Sequence, residues 1–518
     1  MTETPTIIIG AGIGGLTSAV LLAARGVPVI VLEKEMTGGG KVRQLDVDGS
    51  PIDAGPTVFT MRPVIDAIFD SAGTNTDDLL TLTKADTLAR HAWDDNGHLD
   101  VFADHARTVD AIGQFAGAKA AAGFRSFSAE ARRIFDILDK PFLQGSKTYP
   151  PGLMWRIGLH RLNALLAIRP YESLWKVLGE HFDDPRLRQL FGRYTTYCGS
   201  SPFHTPATLM LIAHVEAQGV WAIKGGMSAL ASALEKVARQ SGAQFRYGAT
   251  ATDIHTDRRG VRAVRLQSGE TIATRSVICN ADPSALGAGL FGAAARKAAR
   301  PMAPKNRSLS AMVWLAKSCT KGFAMDHHNV FFSRDYPAEF GQIKAGRIPQ
   351  DPTAYVCSLD HHDPAAAPRT QRRFQIIVNA PANGDRHTYS AEEKDQCTSN
   401  MLSRLSACGL ELDTPLKHHL VTPSDFSKRF PATGGALYGR ASHGWAASFL
   451  RPGCRTRIPG LYCAGGATHP GAGVPMAALS GKLASEAVLS DRISTPLFRR
   501  KDIAGGMSTR SAMTGHSG

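Results

Sequence analysis

A run of β-branched residues, Thr6 to Ile9, leads directly into Gly10-x-Gly12-x-x-Gly15, and Leu16, Ala19, Val20 and Ala23 then recur at helical spacing. Few folds accept that order. A strand must end in a turn that Gly10 permits, pass a bare backbone point at Gly12, and start a helix packed tightly on the strand at Gly15. Gly26 stops the helix and Val29-Ile30-Val31-Leu32 supplies a second strand, so the chain opens on a βαβ unit. The helix N-terminus presents N–H groups suited to phosphate. Glu33 closes the second strand, where a carboxylate accepts hydrogen bonds from ribose hydroxyls and repels a 2′-phosphate. A dinucleotide other than NADP is the implied ligand.

NAD and FAD proteins share this opening, and the rest of the chain separates them. Gly39-Gly40-Lys41 is a second glycine turn followed by a cation, suited to phosphate or ribityl oxygens. GLYCAGGATHPGAGVPMAAL (460–479) gives a further strand and a glycine loop running into a helix. Three glycine loops suit a long dinucleotide held deep in the protein, so FAD is the expected cofactor.

At 518 residues the chain exceeds one ordinary core, and two domains are expected. The α/β pattern of 1–84 returns at 216–299 and 416–494, so three separated segments are read as one cofactor-binding domain. Between them, 85–215 reads as helical with few strand signals, and 300–415 as a mixed β/α segment of a substrate domain. Residues 495–518 are small, polar and basic, and are expected to form a disordered tail. Within 149–170, Arg156, Arg161 and Arg169 stand among apolar residues with no acid until Glu172. That stretch reads either as membrane-lying or as a core helix with a basic edge.

The net charge of +14 raises nucleic acid as a partner. The basic residues are scattered and form no aromatic-basic face, which argues against it; an anionic membrane surface is the better use of the charge. Eight cysteines form no CxxC pair and no Cys/His group at zinc spacing, so no metal site and reduced, cytosolic thiols are expected. The apolar run 7–24 lacks a basic leader and carries the glycine turn, which leaves a soluble or peripheral protein.

Together with GAGIGG, Glu33 and GGK, the segments DAGPTVFT (53–60), GVWAIKGGMSAL (219–230) and THPGAGVP (468–475) resemble the bacterial phytoene-desaturase-type carotenoid flavoenzymes of the amine-oxidase-like FAD superfamily. GGKVR and LARHAW (88–93) draw the likeness toward the carotenoid 3,4-desaturases of the spheroidene pathway. The resemblance implies an α/β fold: a Rossmann-like FAD-binding domain with a second, mixed α+β substrate domain. It implies an FAD-dependent oxidoreductase introducing a C-3,4 double bond into an acyclic 1-hydroxy or 1-methoxy carotenoid, by hydride transfer to the flavin. Oxygen or a quinone is the implied electron acceptor, at a peripheral site on the cytoplasmic membrane face.

Carried residue by residue, the likeness puts Gly10, Gly12, Gly15 and Glu33 at the ADP half, with Gly40 and Lys41 at the phosphates or ribityl chain. Lys41 stands where many relatives have Arg. The backbone at Ala251 would meet the adenine, and Gly465, Gly466, Val474 and Met476 would lie along ribityl and flavin. Many amine oxidases carry an acid where this chain has Gly466, which puts amine oxidation in doubt. His469 is a candidate base or a histidine that holds its own loop. Trp221 is a channel wall or a core residue. Phytoene desaturation, carotenoid isomerisation and a non-enzymatic binding role like that of GDP-dissociation inhibitors are the competing functions.

Overall fold

The computed structural model describes residues 4–94, 97–158, 167–361 and 371–501. Strand β1 (Thr6–Ile9) is buried along its whole length and sits at the middle of a five-stranded parallel sheet. Its neighbours are β2 (Val29–Leu32) and the strand Ser276–Cys279; Gln244–Arg246 and Leu461–Cys463 complete the two edges. The three segments expected to form one domain therefore meet in one sheet. Side chains alternate across it: Ile8, Val29 and Val31 face one core, Ile7, Ile9 and Leu32 another. On the first face lie α1 (Ile13–Ala23), the helix Ser228–Gln240 and the last helix, Val474–Lys501. On the second lies an antiparallel sheet of Ala251–Asp257, Gly260–Leu266 and Thr271–Ala273. With both faces covered, β1 and β2 have no need of polar alternation, which is why they read as unbroken apolar runs.

The second domain is built on a seven-stranded mixed sheet. Its order is Lys417–Val421, Ser310–Ser318, Arg372–Ala380, Ala354–Ser358, His328–Phe331, Thr87–Ala92 and His98–Phe102. Two departures from the sequence reading are in that list. Thr87–Ala92 and His98–Phe102 are strands inside a region expected to be helical; Thr87–Ala92 is fixed by parallel pairing with His328–Phe331, a partner over two hundred residues away. Lys417–Val421 pairs with Ser310–Ser318, so the substrate domain continues past the expected boundary at 415/416. Helices Ala118–Leu138, Leu174–His181 and Pro185–Gly192 pack through stacked aromatics, Phe124, Phe127, Phe182 and Phe191. The last helix runs to Lys501, into the expected tail; residues 502–518 lie outside the described residues. No helix among the described residues is long and apolar enough to cross a membrane.

Candidate active site and cofactor cradle

The glycine turn stands at the carboxyl edge of β1, where α/β sheets bind ligands. Gly10 is left-handed (φ 95°) and its N–H donates to Leu32 O at 2.8 Å. A Cβ on Gly15 would lie 2.1 Å from Gly10 O, so helix and turn touch directly. The N-terminus of α1 carries no side-chain cap and no acid in its first turn. Glu33 is buried and fixed: Ala11 N–H donates to Oε2 at 2.7 Å and Glu35 N–H to Oε1 at 3.0 Å. A carboxylate has lone pairs beyond those two for further donors.

The second glycine turn is tied to the first. Gly39 N–H donates to Ala11 O at 2.7 Å, and a Cβ on Gly40 would lie 3.2 Å from Gly12 Cα. Lys41 sets its ammonium on Leu437 O and over the Phe430 ring. Burial lowers its pKa, opposed by the nearby Asp282 carboxylate. From the third loop, Gly465 (φ 106°) donates its N–H to Ser480 Oγ at 2.7 Å. Gly466 faces open space, the nearest atom to a built Cβ being Gly471 O at 3.9 Å. Val474 packs on the Rossmann core, while Met476, half a turn on, packs on the substrate-domain core. Ala251 begins its strand close to the end of β2, since Ala249 N–H donates to Glu33 O at 2.9 Å.

Asn280 escaped the sequence reading and sits among these loops. It follows the strand Ser276–Cys279 as Gly10 follows β1, at the same sheet edge, and that parallel is the signal that would have found it. Its Nδ2 donates to Gly10 O at 3.2 Å, and a Cβ on Gly12 would lie 2.8 Å from that nitrogen. Asn280 Oδ1 and Asp282 Oδ2 are buried and have no hydrogen-bond partner among the described residues. Orphaned polar atoms, an uncapped helix end and bare glycines around one space fit a ligand as long and polar as FAD.

DAGPT and the Gly225-Gly226 pair form one clasp. Met227 N–H donates to Asp53 Oδ2 at 2.8 Å, and a Cβ on Gly226 would lie 2.3 Å from that oxygen. Gly55 packs bare against Lys41 O, 1.9 Å from a built Cβ. Trp221 pairs through its N–H with Phe59 O at 3.0 Å and sets its ring edge-on to Phe59, 6.3 Å between centroids. It is half-buried against the Rossmann core.

His469 has the geometry of the loop-holding reading. It is buried, its Nε2 lies 2.9 Å from Gly145 O, and its ring stands edge-on to Phe142 at 4.9 Å. A carbonyl only accepts, so Nε2 carries the proton and is spent on that bond. Burial lowers the pKa and keeps the ring neutral. The arginines of 149–170 are also engaged within the protein. Arg156 donates to Pro141 O and Ser146 O, and Arg169 pairs with Glu172, Glu180 and Glu130. Neither is an idle surface cation; Arg161 lies outside the described residues. No Cys/His spacing suggested a metal, yet tertiary folding brings His327, His328 and Cys357 within 4.8 Å of one another. His328 Nδ1 is hydrogen-bonded to Tyr355 OH at 2.7 Å, and burial pushes the Cys357 thiol up to about 12.

A buried polar cluster lies beside the clasp. Tyr194 and Tyr197 both donate to the Glu216 carboxylate, Tyr197 at 2.9 Å, and Arg193 Nη1 donates to Tyr197 OH at 3.1 Å. Burial raises the Glu216 carboxyl, against the lowering effect of the two tyrosines and Arg193.

This fold and this cradle define an FAD-dependent oxidoreductase, and the chain belongs to the flavin containing amine oxidoreductase family, whose profile matches residues 13–489. Among individual relatives it is 48% identical to a hydroxyneurosporene desaturase of Rubrivivax gelatinosus, covering 98% of both chains. It is 44% identical to a protein of the same name from Rhodobacter capsulatus, over 95% of this chain and 99% of the relative. An oxidoreductase from Methanosarcina mazei has the same fold, with a TM-score of 0.58 at 16% identity, over 94% of this chain and all of that one.

Proposed function

We propose that the protein is an FAD-dependent carotenoid desaturase that introduces the C-3,4 double bond into an acyclic 1-hydroxy or 1-methoxy carotenoid. The observation that carries this reading is near-full-length 48% identity to a hydroxyneurosporene desaturase, and the three glycine loops suit FAD. When bound, FAD would supply the two-electron oxidation that, with loss of a proton from C-3, forms the C-3,4 double bond as C-4, next to the polyene, gives up a hydride. The charge left on that carbon spreads along the conjugated system, so the substrate stabilises its own intermediate. The chain's tasks are to hold the polyene end in line and to keep water out. Gly10, Gly12, Gly15, Glu33, Asn280 and Lys41 would hold the dinucleotide, and Gly465, Gly466 and Met476 would border its reactive end. Oxygen or a membrane quinone takes the electrons away.

A substrate dissolved in lipid brings the enzyme to the membrane face. Exposed aromatic and apolar side chains support that reading better than the arginines do: Tyr149 and Trp155 on one segment, Tyr171, Trp445 and Leu450 on its neighbours. Tyr171 and Trp445 stack 5.8 Å apart, and Phe449 packs on Phe142, which joins the segments into one side of the domain.

Anaerobic incubation of the FAD-loaded protein with a 1-hydroxy acyclic carotenoid tests the proposal. Flavin bleaching with a red-shifted polyene spectrum is expected. An unbleached flavin and unchanged polyene, with FAD binding verified, would overturn it.

A further inference from the structure

The mechanism above makes no use of the buried cluster around Arg193. Its guanidinium is permanently charged, and the residue is only 8% exposed. Burying such a charge is costly unless hydrogen bonds replace its water. A guanidinium has five N–H donors. Among the described residues only one of them is used, on Tyr197 OH. The rest of the group lies over the faces of Tyr197 and Tyr355, 5.1 and 5.3 Å from the ring centroids. The balancing anion, Glu216, is reached through Tyr197 and makes no direct ion pair with Arg193. Tyr194 and Tyr197 take up one of its oxygens each. The cluster therefore has donors to spare.

Its position gives those donors a direction. Tyr355 OH is bonded to Thr57 Oγ1 at 2.6 Å, and Thr57 is two residues beyond Gly55, which packs on Lys41 O in the cofactor cradle. From the other side, Arg193 acts electrostatically on Tyr438, the neighbour of Leu437, whose carbonyl holds Lys41. The surplus donors thus lie between two segments that both touch the cradle. The side chains packed around them are apolar and aromatic.

We propose that Arg193, set by Tyr197 and Glu216, is the specificity-determining residue that binds the end-group oxygen of the carotenoid. This rests on the desaturase reading. In such a substrate the oxygen-bearing carbon is separated from the bond to be oxidised by a single methylene. An oxygen anchor must accordingly stand close to the cofactor, and Arg193 is linked to the cradle's segment 53–57 through Tyr355 and Thr57. A hydroxyl and a methoxy oxygen both accept from a guanidinium, so one site serves either end group. An end group that is pure hydrocarbon leaves the buried charge without its acceptor, and this penalty, more than any new attraction, supplies the selectivity.

The test compares kcat/KM for a 1-hydroxy acyclic carotenoid with that for the parent hydrocarbon, in the FAD-loaded wild type and in Arg193→Met. The wild type is expected to favour the hydroxylated substrate. Arg193→Met is expected to cut that preference by about 10- to 100-fold, with a rise in KM for the hydroxylated substrate. Arg193→Lys, which keeps the charge but not the fork, should retain part of the preference. Should Arg193→Met lose FAD, Tyr197→Phe carries the test, because it frees the guanidinium from its anchor and should erode the preference while FAD stays bound. An undiminished preference in a variant with full FAD content overturns the role of Arg193. A wild type that oxidises both substrates equally well overturns it too, leaving the desaturase reading intact. A wild type that oxidises neither overturns that reading and this proposal together.

Discussion

Gly466 and Glu339 show how single residues report on their surroundings. At Gly466 a methyl group would meet no protein atom closer than 3.9 Å, so the apoprotein should tolerate Gly466→Ala to within about 0.5 kcal/mol. If that space belongs to FAD, the same variant should bind FAD at least about 10-fold more weakly, a loss of about 1.4 kcal/mol read by flavin fluorescence titration. Undiminished affinity would move the cofactor away from this loop. Glu339 is buried in the substrate domain, where Ser333 and Thr353 hydroxyls donate to its Oε2. Burial raises its pKa from the ordinary 4.5 to about 7. The folded state therefore holds the proton more tightly than the unfolded chain. Its contribution to stability is complete below about 4.5 and is lost as pH rises through about 7. Glu339→Gln should flatten that decline, which amounts to up to about 3 kcal/mol, in denaturation curves at stepped pH. Equal slopes for variant and wild type would refute the assignment.

Among the elements, the contact between α1 and the last helix matters most for the cradle. Gly481 meets α1 so closely that a Cβ would lie 2.3 Å from Gly14 O and 3.0 Å from Thr17 Cβ. Gly14 in turn faces Gly465 N, 2.7 Å from a built Cβ, so two glycine loops and two helices share one tight junction. Gly481→Ala should lower apoprotein stability by about 1–3 kcal/mol in thermal unfolding and weaken FAD binding with it. An unaltered melting temperature would show that the helices can part without strain. The Gly10-x-Gly12-x-x-Gly15 turn was legible in the sequence because strand, turn and helix are contiguous and each glycine answers to a neighbour a few residues away. Gly481 and Gly14 were not, because their reasons to be glycine lie far along the chain, for Gly481 on α1 and for Gly14 at Asn280 and Gly465. Thr87–Ala92 was missed for the same cause: its partner strand, not its own composition, makes it a strand.

Across the whole molecule, the exposed large aromatic side chains among the described residues fall at Tyr149, Trp155, Tyr171 and Trp445. Trp155 is 75% exposed and Trp445 is 48% exposed, unusual positions for large rings unless a surface covers them. Replacing both by serine should reduce sedimentation with anionic vesicles several-fold while FAD content holds. Vesicle binding equal to wild type would remove this face from consideration. Arg156 and Arg169 are bonded within the protein, to Ser146 O and to Glu172 and Glu180, partners that lie outside 149–170, so that stretch by itself reads as uncompensated.

The division between sequence and tertiary structure follows the range of the interactions. The βαβ opening, the FAD preference and the family were legible in the sequence alone, since all of these rest on local glycine patterns and strand composition. Only the tertiary structure decided that Asn280 closes the cradle, that Asp53 is the partner of Gly226, that His469 clasps Gly145, and that Arg193, Tyr197 and Glu216 share one buried site. Each of those depends on atoms brought together from separate parts of the chain, where burial removes water and makes a polar group without a partner costly.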